Sequence, residues 1–306
     1  MKAVITGATG AVGMALISEL TKNNIEVLVF CRPGSNRNSR IKTGGLVRVA
    51  ECDLEGLKNY TPAPDEKCDY FFHFAWAGTT GAARNDMHLQ NKNVEYTLDA
   101  VELAERFGCS VFIGAGSQAE YGRVEGKLSD MTPTNPENGY GIAKLAAGRM
   151  SRIMCQSRGM RHMWVRILSV YGPYDNEASM VVSTLRAMMR GEEPEFTPGE
   201  QIWDYMYSED AARALLAVAE KGHNGEVYCL GSGRPAMLKE YIEKMRDAAN
   251  PECKLGFGKR PYAENQVMYL CADIEKLKND TGFEVTYSFE EGIEKTVAWV
   301  RANMQN

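Results

Sequence analysis

Three glycines spaced three residues apart follow the first apolar run of the chain, and they constrain its fold more than any other feature. Residues 2–6 are apolar and lead directly into Gly7, Gly10 and Gly13. A helix-like segment and a second apolar run, residues 25–30, come next. The order strand, glycine-rich loop, helix, strand predicts a parallel α/β unit with the loop at the carboxyl end of its first strand.

The spacing of these glycines indicates what the loop can bind. The first allows a tight turn, the second lets the backbone approach a pyrophosphate, and the third allows a helix to pack closely on a strand. A pyrophosphate here would meet the N-terminus of the helix, so the loop predicts a dinucleotide site. The alternative is a turn with a purely structural role. The predicted contacts are Gly7, Thr9, Gly10, Ala11, Val12 and Gly13.

The residues after the second apolar run bear on which dinucleotide binds. An acidic residue there would bind the 2′-hydroxyl of the adenosine ribose, as NAD requires. The chain has no acid at this place and carries Arg32, Ser35 and Arg37 instead. Arg32 could hold a 2′-phosphate, so NADP is predicted, with NAD as the alternative. The same residues could also form a solvated basic loop.

Strand-like and helix-like segments alternate through the first half of the chain. Further strands are predicted at 46–50, 70–74, 110–113 and 163–170, and long helices at 87–107 and 140–157. This rhythm predicts an α/β fold, a doubly wound parallel sheet of the Rossmann type. We predict a dinucleotide-binding domain over 1–172, to which about 203–230 returns. A smaller, interleaved substrate-binding domain is expected over 173–306.

One pair of side chains is suited to proton transfer. Tyr140 and Lys144 are four residues apart and share a face if their segment is helical. A cation beside a phenol lowers its pKa, and such a phenol can exchange a proton with an alcohol or carbonyl oxygen. An exposed Tyr and Lys on a solvated helix are the alternative. Ser117 follows a predicted strand and could lie near this pair. Alternatively, its hydroxyl could simply cap the backbone at the end of that strand.

Composition excludes several classes of function. The net charge is −5 and no Lys/Arg run occurs, so binding to nucleic acid is not expected. The eight cysteines form no C-x-x-C pair, which is typical of a reduced cytoplasmic protein without a disulfide framework or metal site. No apolar run reaches the length of a transmembrane helix, so no membrane association is predicted.

Taken together, these motifs resemble the extended short-chain dehydrogenase/reductase family, the NAD(P)-dependent epimerase/dehydratase group that mostly handles nucleotide sugars. The resemblance runs along nearly the whole chain. Its motifs are Gly7-x-x-Gly10-x-x-Gly13, Asp53-Leu54, Asn93-x-x-x-Thr97, Ser117-x-x-x-Tyr121-Gly122, Tyr140-x-x-x-Lys144, Arg166-x-x-x-Val170-Tyr171-Gly172-Pro173, Asp204-Tyr205-x-Tyr207-x-x-Asp210 and Glu291-Gly292.

The resemblance implies a role for each matching residue. Tyr140 would be the general acid/base, Lys144 would lower its pKa and bind the nicotinamide ribose, and Ser117 would hydrogen-bond the reacting oxygen. Asp53 and Leu54 would flank the adenine. The remaining residues implied in cofactor binding are Ala75, Asn93 and Ile167.

Departures from the family pattern narrow the expected chemistry. Dehydratases carry an acid pair directly after the serine position, where this chain has Gln118 and Ala119, so dehydration is not expected. Ser169 and Trp203 stand where nucleotide-sugar enzymes usually hold Asn and Arg for the diphosphate. Trp203 could stack on a base or sugar or belong to the core. Arg260 could supply the missing positive charge or lie on the surface.

These observations predict an NADP(H)-dependent oxidoreductase that acts on a keto or hydroxyl group of a sugar, a reductase of a nucleotide-activated 4-keto sugar. A 4-epimerase with retained NAD is the alternative, and a non-catalytic cofactor-sensing protein is a third. The resemblance also implies a homodimer that pairs through the two long helices, helped by the small residues Ala146, Ala147 and Gly148.

Overall fold

The computed structural model describes residues 1–304, and in them strands and helices alternate along most of the chain. The strands are β1 (Lys2–Thr6), β2 (Glu26–Cys31), β3 (Val47–Glu51), β4 (Tyr70–His73), β5 (Val111–Ser117), β6 (Arg161–Ile167), β7 (Ser169–Tyr171), β8 (Ile202–Trp203), β9 (Tyr205–Tyr207), β10 (Val227–Leu230) and β11 (Ala236–Met237). The α-helices are α1 (Ala11–Lys22), α2 (Met87–Arg106), α3 (Gly139–Ser157), α4 (Met180–Met189), α5 (Ser208–Lys221), α6 (Leu238–Ala249), α7 (Glu275–Thr281) and α8 (Phe289–Ala302).

Seven of the strands form one central sheet in the order β3-β2-β1-β4-β5-β6-β10. Every neighbouring pair in it is parallel. The chain winds outward from β1 first in one direction and then in the other, so the strand order reverses between β1 and β4. The predicted doubly wound parallel sheet is confirmed. In such a sheet, the crevice for a ligand lies beyond the carboxyl ends of the strands at the reversal.

Helices cover both faces of this sheet because its strands are apolar on both sides. In β1, Ala3 and Ile5 pack on one face, among residues of α1 and α5 such as Leu16 and Leu215. Val4 points to the opposite face, which α2 and α3 cover. This alternation follows from the two-residue period of a strand. No helix within residues 1–304 is both long and apolar enough to cross a bilayer.

Residues 202–207 form two short strands separated by one residue. β8 pairs with β11, whereas β9 pairs with β7, and both pairs lie outside the central sheet. The residue between them, Asp204, is fully buried. Its carboxylate accepts hydrogen bonds from the backbone N–H groups of Ser232 at 2.8 Å, Gly233 at 3.0 Å and Ala272 at 3.0 Å. Asp204 therefore ties its own segment to two others, residues 232–233 and Ala272.

The C-terminal helices form a smaller core of their own. Leu185 of α4, Ile242 of α6 and Ile293 of α8 are fully buried in one cluster. The chain between α4 and α6 crosses back to the central sheet, since α5 packs against α1 and β10 extends the sheet beside β6. The boundary at residues 172 and 173 between two domains stays a prediction.

A large aromatic side chain fills a pocket of glycines between the sheet and α3. Trp164 of β6 is 3% exposed. A Cβ atom placed on Gly114, Gly116 or Gly148 would come within 2.2, 2.4 and 2.6 Å, respectively, of atoms of the indole ring. Gly148 is therefore small because it faces Trp164, and Ala147 is fully buried. The prediction that these two residues allow a partner helix to approach α3 is wrong.

Candidate active site

The glycine-rich loop is shaped by two close backbone approaches. Gly7 has a φ of +75°, and a Cβ on it would lie 2.4 Å from the backbone nitrogen of Ala75. A Cβ on Gly13 would lie 2.4 Å from the Cα of Ala8. Helix α1 then starts with Gly10 as its N-cap, with no side-chain cap and no acid in its first turn. Its first N–H groups therefore remain available to an anionic group.

A cavity of about 920 Å³ opens beside this loop at the carboxyl ends of β1, β2 and β4. Its lining includes Gly7, Thr9, Gly10, Arg32, Ser35, Arg37, Asp53, Leu54, Ala75, Trp76 and Tyr96. The free N–H groups of α1 and the uncrowded Cα of Gly10 suit a pyrophosphate, so the residues present fit a dinucleotide. A second cavity, of about 380 Å³, lies between α3 and β6. None of the three predicted catalytic residues lines either cavity, but Trp76, which lines the first, packs against both Tyr140 and Lys144. The cavity beside the glycine-rich loop is therefore the candidate cofactor site.

Two arginines at the edge of the cavity have free guanidinium groups. Arg32 and Arg37 are both exposed, and within residues 1–304 neither has a carboxylate partner. The loop that carries them is ordered by its own polar contacts. Asn38 donates its side-chain amide to the Arg32 carbonyl at 2.9 Å, and the Ser35 hydroxyl caps the backbone N–H of Arg37. A basic loop therefore borders the cavity in place of an acid.

Several predicted cofactor ligands have other surroundings. Asn93 is buried and bonds the Ala77 peptide twice, with its oxygen accepting from the Ala77 N–H at 2.9 Å and its amide donating to the Ala77 carbonyl at 2.9 Å. This side chain shapes the loop after β4 instead of lining the cavity. Ala11 and Val12 belong to the first turn of α1. Ile167 ends β6 and lies in register with Ser117 of β5.

Helix α3 carries the predicted proton donor and its lysine, and both side chains are buried. Asn138 caps the helix by accepting a hydrogen bond from the Gly141 N–H at 2.9 Å. The Lys144 ammonium donates to the Ala115 carbonyl at 2.7 Å and lies 3.7 Å from the centre of the Trp76 ring. It is 5.8 Å from the centre of the Tyr140 ring. Lys144 is thus directed toward β5 and Trp76.

The two side chains have unusual protonation properties because they are buried. Burial raises the pKa of the Tyr140 phenol, while the nearby Ser117 hydroxyl and Arg84 guanidinium oppose the rise. Burial also lowers the pKa of Lys144 to about 7, although the Glu120 carboxylate counteracts part of this effect. The ammonium of Lys144 lies 5.8 Å from the centre of the Tyr140 ring. The lowering of the phenol pKa by Lys144 stays a prediction.

Ser117 is held in place by a buried acid that the sequence did not single out. Glu120 is fully buried, and its carboxylate accepts from the Ser117 N–H at 2.8 Å, the Trp164 indole at 2.9 Å and the Arg166 guanidinium at 2.7 Å. The Ser117 hydroxyl oxygen accepts from the Ala119 N–H at 3.2 Å, so its hydrogen can still be donated. The spacing Ser117-x-x-Glu120 is a capping box, which was readable in the sequence.

The predicted substrate residues are only partly brought together. The Trp203 indole donates to the Ser169 hydroxyl at 2.9 Å, so these two side chains form one unit beside the sheet. Arg260 lies on an exposed loop with its guanidinium 3.9 Å from the Glu195 carboxylate. It forms no hydrogen bond with Ser169 or Trp203 within the part of the chain that the structure describes. Its predicted role at the substrate is therefore without structural support.

Comparison with known proteins agrees with this fold. The profile of the NAD-dependent epimerase/dehydratase family matches residues 3–231, which is most of the chain. The chain belongs to this family, the extended short-chain dehydrogenases/reductases. It is 25% identical to an uncharacterised UDP-glucose epimerase of Bacillus subtilis, with 100% of this chain and 99% of that protein covered. A probable dTDP-glucose 4,6-dehydratase of Sinorhizobium fredii is 24% identical over 99% of this chain and 93% of its own length.

Solved structures share the fold along the whole length of this chain. The UDP-glucose 4-epimerase of Thermotoga maritima superposes with a TM-score of 0.87 at 24% identity, and the match covers 99% of this chain and 100% of that one. A dTDP-glucose 4,6-dehydratase of Streptomyces venezuelae superposes with a TM-score of 0.84 at 19% identity, covering 100% and 98%. At these identities the likeness establishes the fold, and the chemistry must be argued from this chain's own residues.

Proposed function

We propose that this family member is an NADP(H)-dependent reductase that acts on the keto group of a nucleotide-activated sugar. The observation that carries the proposal is that Tyr140 lies beside Ser117, at the carboxyl end of β5, and shares the first turns of α3 with Lys144. These residues lie near a large cavity bordered by Arg32. A bound nicotinamide dinucleotide supplies the hydride. The protein's part is to position the sugar and to manage one proton.

Each of the three side chains has a distinct task in this reaction. Ser117 donates its hydroxyl hydrogen to the substrate oxygen and so orients the reacting carbonyl. Tyr140 transfers its phenolic proton to the same oxygen as the carbonyl carbon is reduced. Lys144, whose pKa of about 7 lets it carry or release a proton near neutrality, would bind the ribose of the dinucleotide and supply charge behind Tyr140.

Loss of water from the sugar is not part of the proposal. Elimination needs an acid and a base that can reach neighbouring carbons, and Gln118 and Ala119 supply neither. The one nearby acid, Glu120, is fully buried and bonded by Ser117, Trp164 and Arg166. Its carboxylate has no surface open to a substrate.

The proton-transfer step is tested with Tyr140→Phe. This change removes the phenolic proton but keeps the ring, so we expect turnover to fall by about two to four orders of magnitude with cofactor affinity retained. Turnover would be followed as NADPH consumption with a panel of nucleotide 4-keto sugars, and cofactor binding by calorimetry. Turnover equal to the wild-type value would contradict the proposal.

The cofactor preference is tested with Arg32→Asp. The new acid would repel a 2′-phosphate and accept from a ribose hydroxyl, so NADP should lose at least tenfold in affinity and NAD should gain. Thermal shifts with each dinucleotide report this without any substrate. Arg149→Asp, at an exposed position of α3, is the matched control and should change neither affinity. An unchanged preference in Arg32→Asp would refute the choice of NADP.

A 4-epimerase is the second candidate, because the matching solved structures include 4-epimerases of UDP-glucose and of UDP-N-acetylglucosamine. The same three side chains serve it, since an epimerase removes a hydride and returns it to the other face of the sugar. An epimerase would be purified with bound NAD and would interconvert sugars with no net consumption of NADPH. Because Ser169 and Trp203 bond each other and neither side chain is charged, other residues would have to bind the diphosphate of such a substrate.

We further propose that the protein works in a reducing cytoplasm, which its eight free cysteines support, and as a homodimer. The support for the dimer is the outer face of α3, where Ile142, Met150 and Ile153 are 53%, 46% and 64% exposed. Met87, at the start of the neighbouring helix α2, is 56% exposed. Such an apolar surface is typical of an interface with another copy of the chain.

A further inference from the structure

The smaller cavity between α3 and β6 has no part in the proposed reaction. Its volume of about 380 Å³ is in the range of about 300–1,000 Å³ that is typical of small-molecule sites. It shares no lining residue with the cavity beside the glycine-rich loop. We call it the α3–β6 cavity, and its charged or titratable lining residues from these two elements are Arg149, Arg152, His162 and Arg166.

A buried histidine on the wall of this cavity has a free ring nitrogen. His162 is 1% exposed, and its Nε2 lies 2.9 Å from the Ser151 hydroxyl. Its Nδ1 is also buried and has no hydrogen-bond partner within residues 1–304. A buried polar atom without a partner is unfavourable. Because a hydroxyl both donates and accepts, a ligand hydroxyl could bond this nitrogen in either tautomer of the ring.

Two arginines on the α3 side of the cavity have no carboxylate partner in the described part of the chain. Arg149 and Arg152 are both exposed and lie on one side of the helix, because they are three residues apart. Burial lowers the pKa of His162 to about 3, and the charge of Arg152 adds to this effect, so its guanidinium lies near the buried ring. Two unpaired guanidinium groups beside a cavity are suited to binding a phosphate.

The acids on the cavity wall have cations of their own. The Glu120 carboxylate accepts from the Arg166 guanidinium at 2.7 Å. The Asp130 carboxylate lies 3.9 Å from the Lys276 ammonium and is partly buried. Asp130 and the hydroxyl of Thr134, another lining residue, are suited to bonding hydroxyl groups. The wall therefore combines cations for a phosphate with partners for hydroxyl groups.

The wall offers no free aromatic face on which a nucleotide base could stack. His162 is stacked between Phe112 and Trp164, with ring centres 5.9 and 6.1 Å away. Trp164 is 3% exposed and is enclosed by glycines. The α3–β6 cavity also has less than half the volume of the candidate cofactor site, at about 380 against about 920 Å³. These features favour a small hydroxylated phosphate over a nucleotide.

We propose that the α3–β6 cavity binds a phosphorylated sugar. Its phosphate would accept from Arg149 and Arg152, and its hydroxyl groups would bond Asp130 and Nδ1 of His162. The Glu120–Arg166 ion pair belongs to this wall and also holds the Ser117 N–H at 2.8 Å, so the ligand would lie beside the residues that position Ser117. The inference goes beyond the proposed function and does not depend on it.

The test is calorimetry of the full-length chain with glucose 6-phosphate and glucose 1-phosphate at low ionic strength. At least one of them should bind saturably at millimolar concentration or below. Glucose and inorganic phosphate each lack part of the proposed contacts and should bind at least about tenfold more weakly. Absence of binding by both sugar phosphates, or equally tight binding of inorganic phosphate, would overturn the inference.

Variants locate the bound sugar phosphate. The double variant Arg149→Gln and Arg152→Gln removes both charges from exposed positions, so the chain should remain folded while affinity falls by about tenfold or more. Arg301→Gln, at an exposed position of α8, is the matched control and should bind as the wild type does. Saturating NADPH should leave the wild-type affinity unchanged, because the two cavities share no lining residue.

Two further outcomes would contradict the site. Wild-type affinity in the double variant would place the sugar phosphate elsewhere, and displacement of the sugar phosphate by NADPH would place it in the candidate cofactor site. Because no turnover is measured, the result is independent of whether a reductase activity is found. Absence of that activity would count against the proposed function alone.

Discussion

At the scale of single residues, the site depends on buried charges that each have a defined partner. Glu120 has no exposed surface and Arg166 is 4% exposed, and the two form an ion pair at 2.7 Å. The same carboxylate holds the Ser117 backbone. Lys144 is buried with a carbonyl as its hydrogen-bond acceptor. Charges in such places are costly unless they are paired, so changes to them should affect stability as well as turnover.

Removal of the Glu120 carboxylate should destabilise the protein strongly. In Glu120→Ala the Arg166 charge and the Trp164 indole both lose their acceptor inside the protein. The free energy of unfolding, measured by urea denaturation, should fall by roughly 3–5 kcal/mol. Glu125→Ala, five residues further on and exposed, is the matched control and should stay within about 0.5 kcal/mol of the wild type. Similar losses in the two variants would show that the buried pair is not important for stability.

The buried lysine should make stability depend on pH. Its pKa is about 7 in the folded protein and 10.5 ordinarily. Between these values the unfolded chain binds one more proton than the folded one, so the free energy of unfolding rises with pH. The gain from pH 7 to pH 9 should be about 2 kcal/mol. In Lys144→Met this contribution is absent. If the wild type and Lys144→Met gained equally over this range in urea denaturation, Lys144 would not titrate as the structure indicates.

At the scale of secondary-structure elements, close packing of α1 on β1 positions the loop that would hold the pyrophosphate. Gly13 lies against the backbone of Ala8, whereas a Cβ on Gly10 would meet no atom within 4 Å. The two glycines of one motif thus have different reasons to be small. Gly13 is needed by the fold, and Gly10 leaves open the space above the N-terminus of α1.

These two glycines give a matched pair of variants. Gly13→Ala should lower the melting temperature, because its Cβ would lie 2.4 Å from the Ala8 Cα and α1 would have to move. Gly10→Ala should leave the melting temperature nearly unchanged. It should still weaken binding of the dinucleotide in calorimetry by tenfold or more, because the new methyl group occupies the approach to the helix terminus. A reversal of these two patterns would mean that the loop binds its ligand in another way.

At the scale of the whole molecule, the outer apolar face of α3 remains after the fold has buried its core. The sheet side of this helix is buried by residues such as Ala143 and Ala147, whereas Ile142, Met150 and Ile153 lie on the opposite side. The proposed homodimer therefore rests on these large exposed side chains. The small residues Ala147 and Gly148 serve the interior.

A single charge on this face should separate the dimer. Ile153→Glu places a carboxylate in the proposed interface, where burying it without a partner is unfavourable. Sedimentation at micromolar concentration should give a dimer for the wild type and a monomer for Ile153→Glu. Met131→Glu changes a side chain that is 83% exposed on another surface and should remain dimeric. A wild-type protein that sediments as a monomer would refute the dimer.

The sequence by itself determined the fold class and the family, and it supplied the residues of the proposed chemistry. The alternation of apolar runs and helices, and the glycines of the first loop, predicted a doubly wound sheet with the loop at a strand end. These predictions succeeded because the alternation of elements depends on local periodicity and the glycine-rich loop depends on local backbone freedom. The spacing of Tyr140 and Lys144 along α3 is likewise a local feature. The capping box from Ser117 to Glu120 is local too, but the sequence analysis did not identify Glu120 as the acid that holds Ser117.

Only the tertiary structure decided where side chains from distant segments meet. The guanidinium carbon of Arg84 lies 4.3 Å from the centre of the Tyr140 ring. Nothing near Arg84 in the chain indicates this contact, because the two residues are 56 positions apart and meet only where one turn docks on α3. For the same reason, the sequence could not show that Asn93 holds the loop after β4 or that Gly148 makes room for Trp164. The direction of Lys144 was also beyond the sequence, since burial and a carbonyl acceptor on β5 set it. Local pattern predicts elements, whereas contacts and pKa values depend on the packing between them.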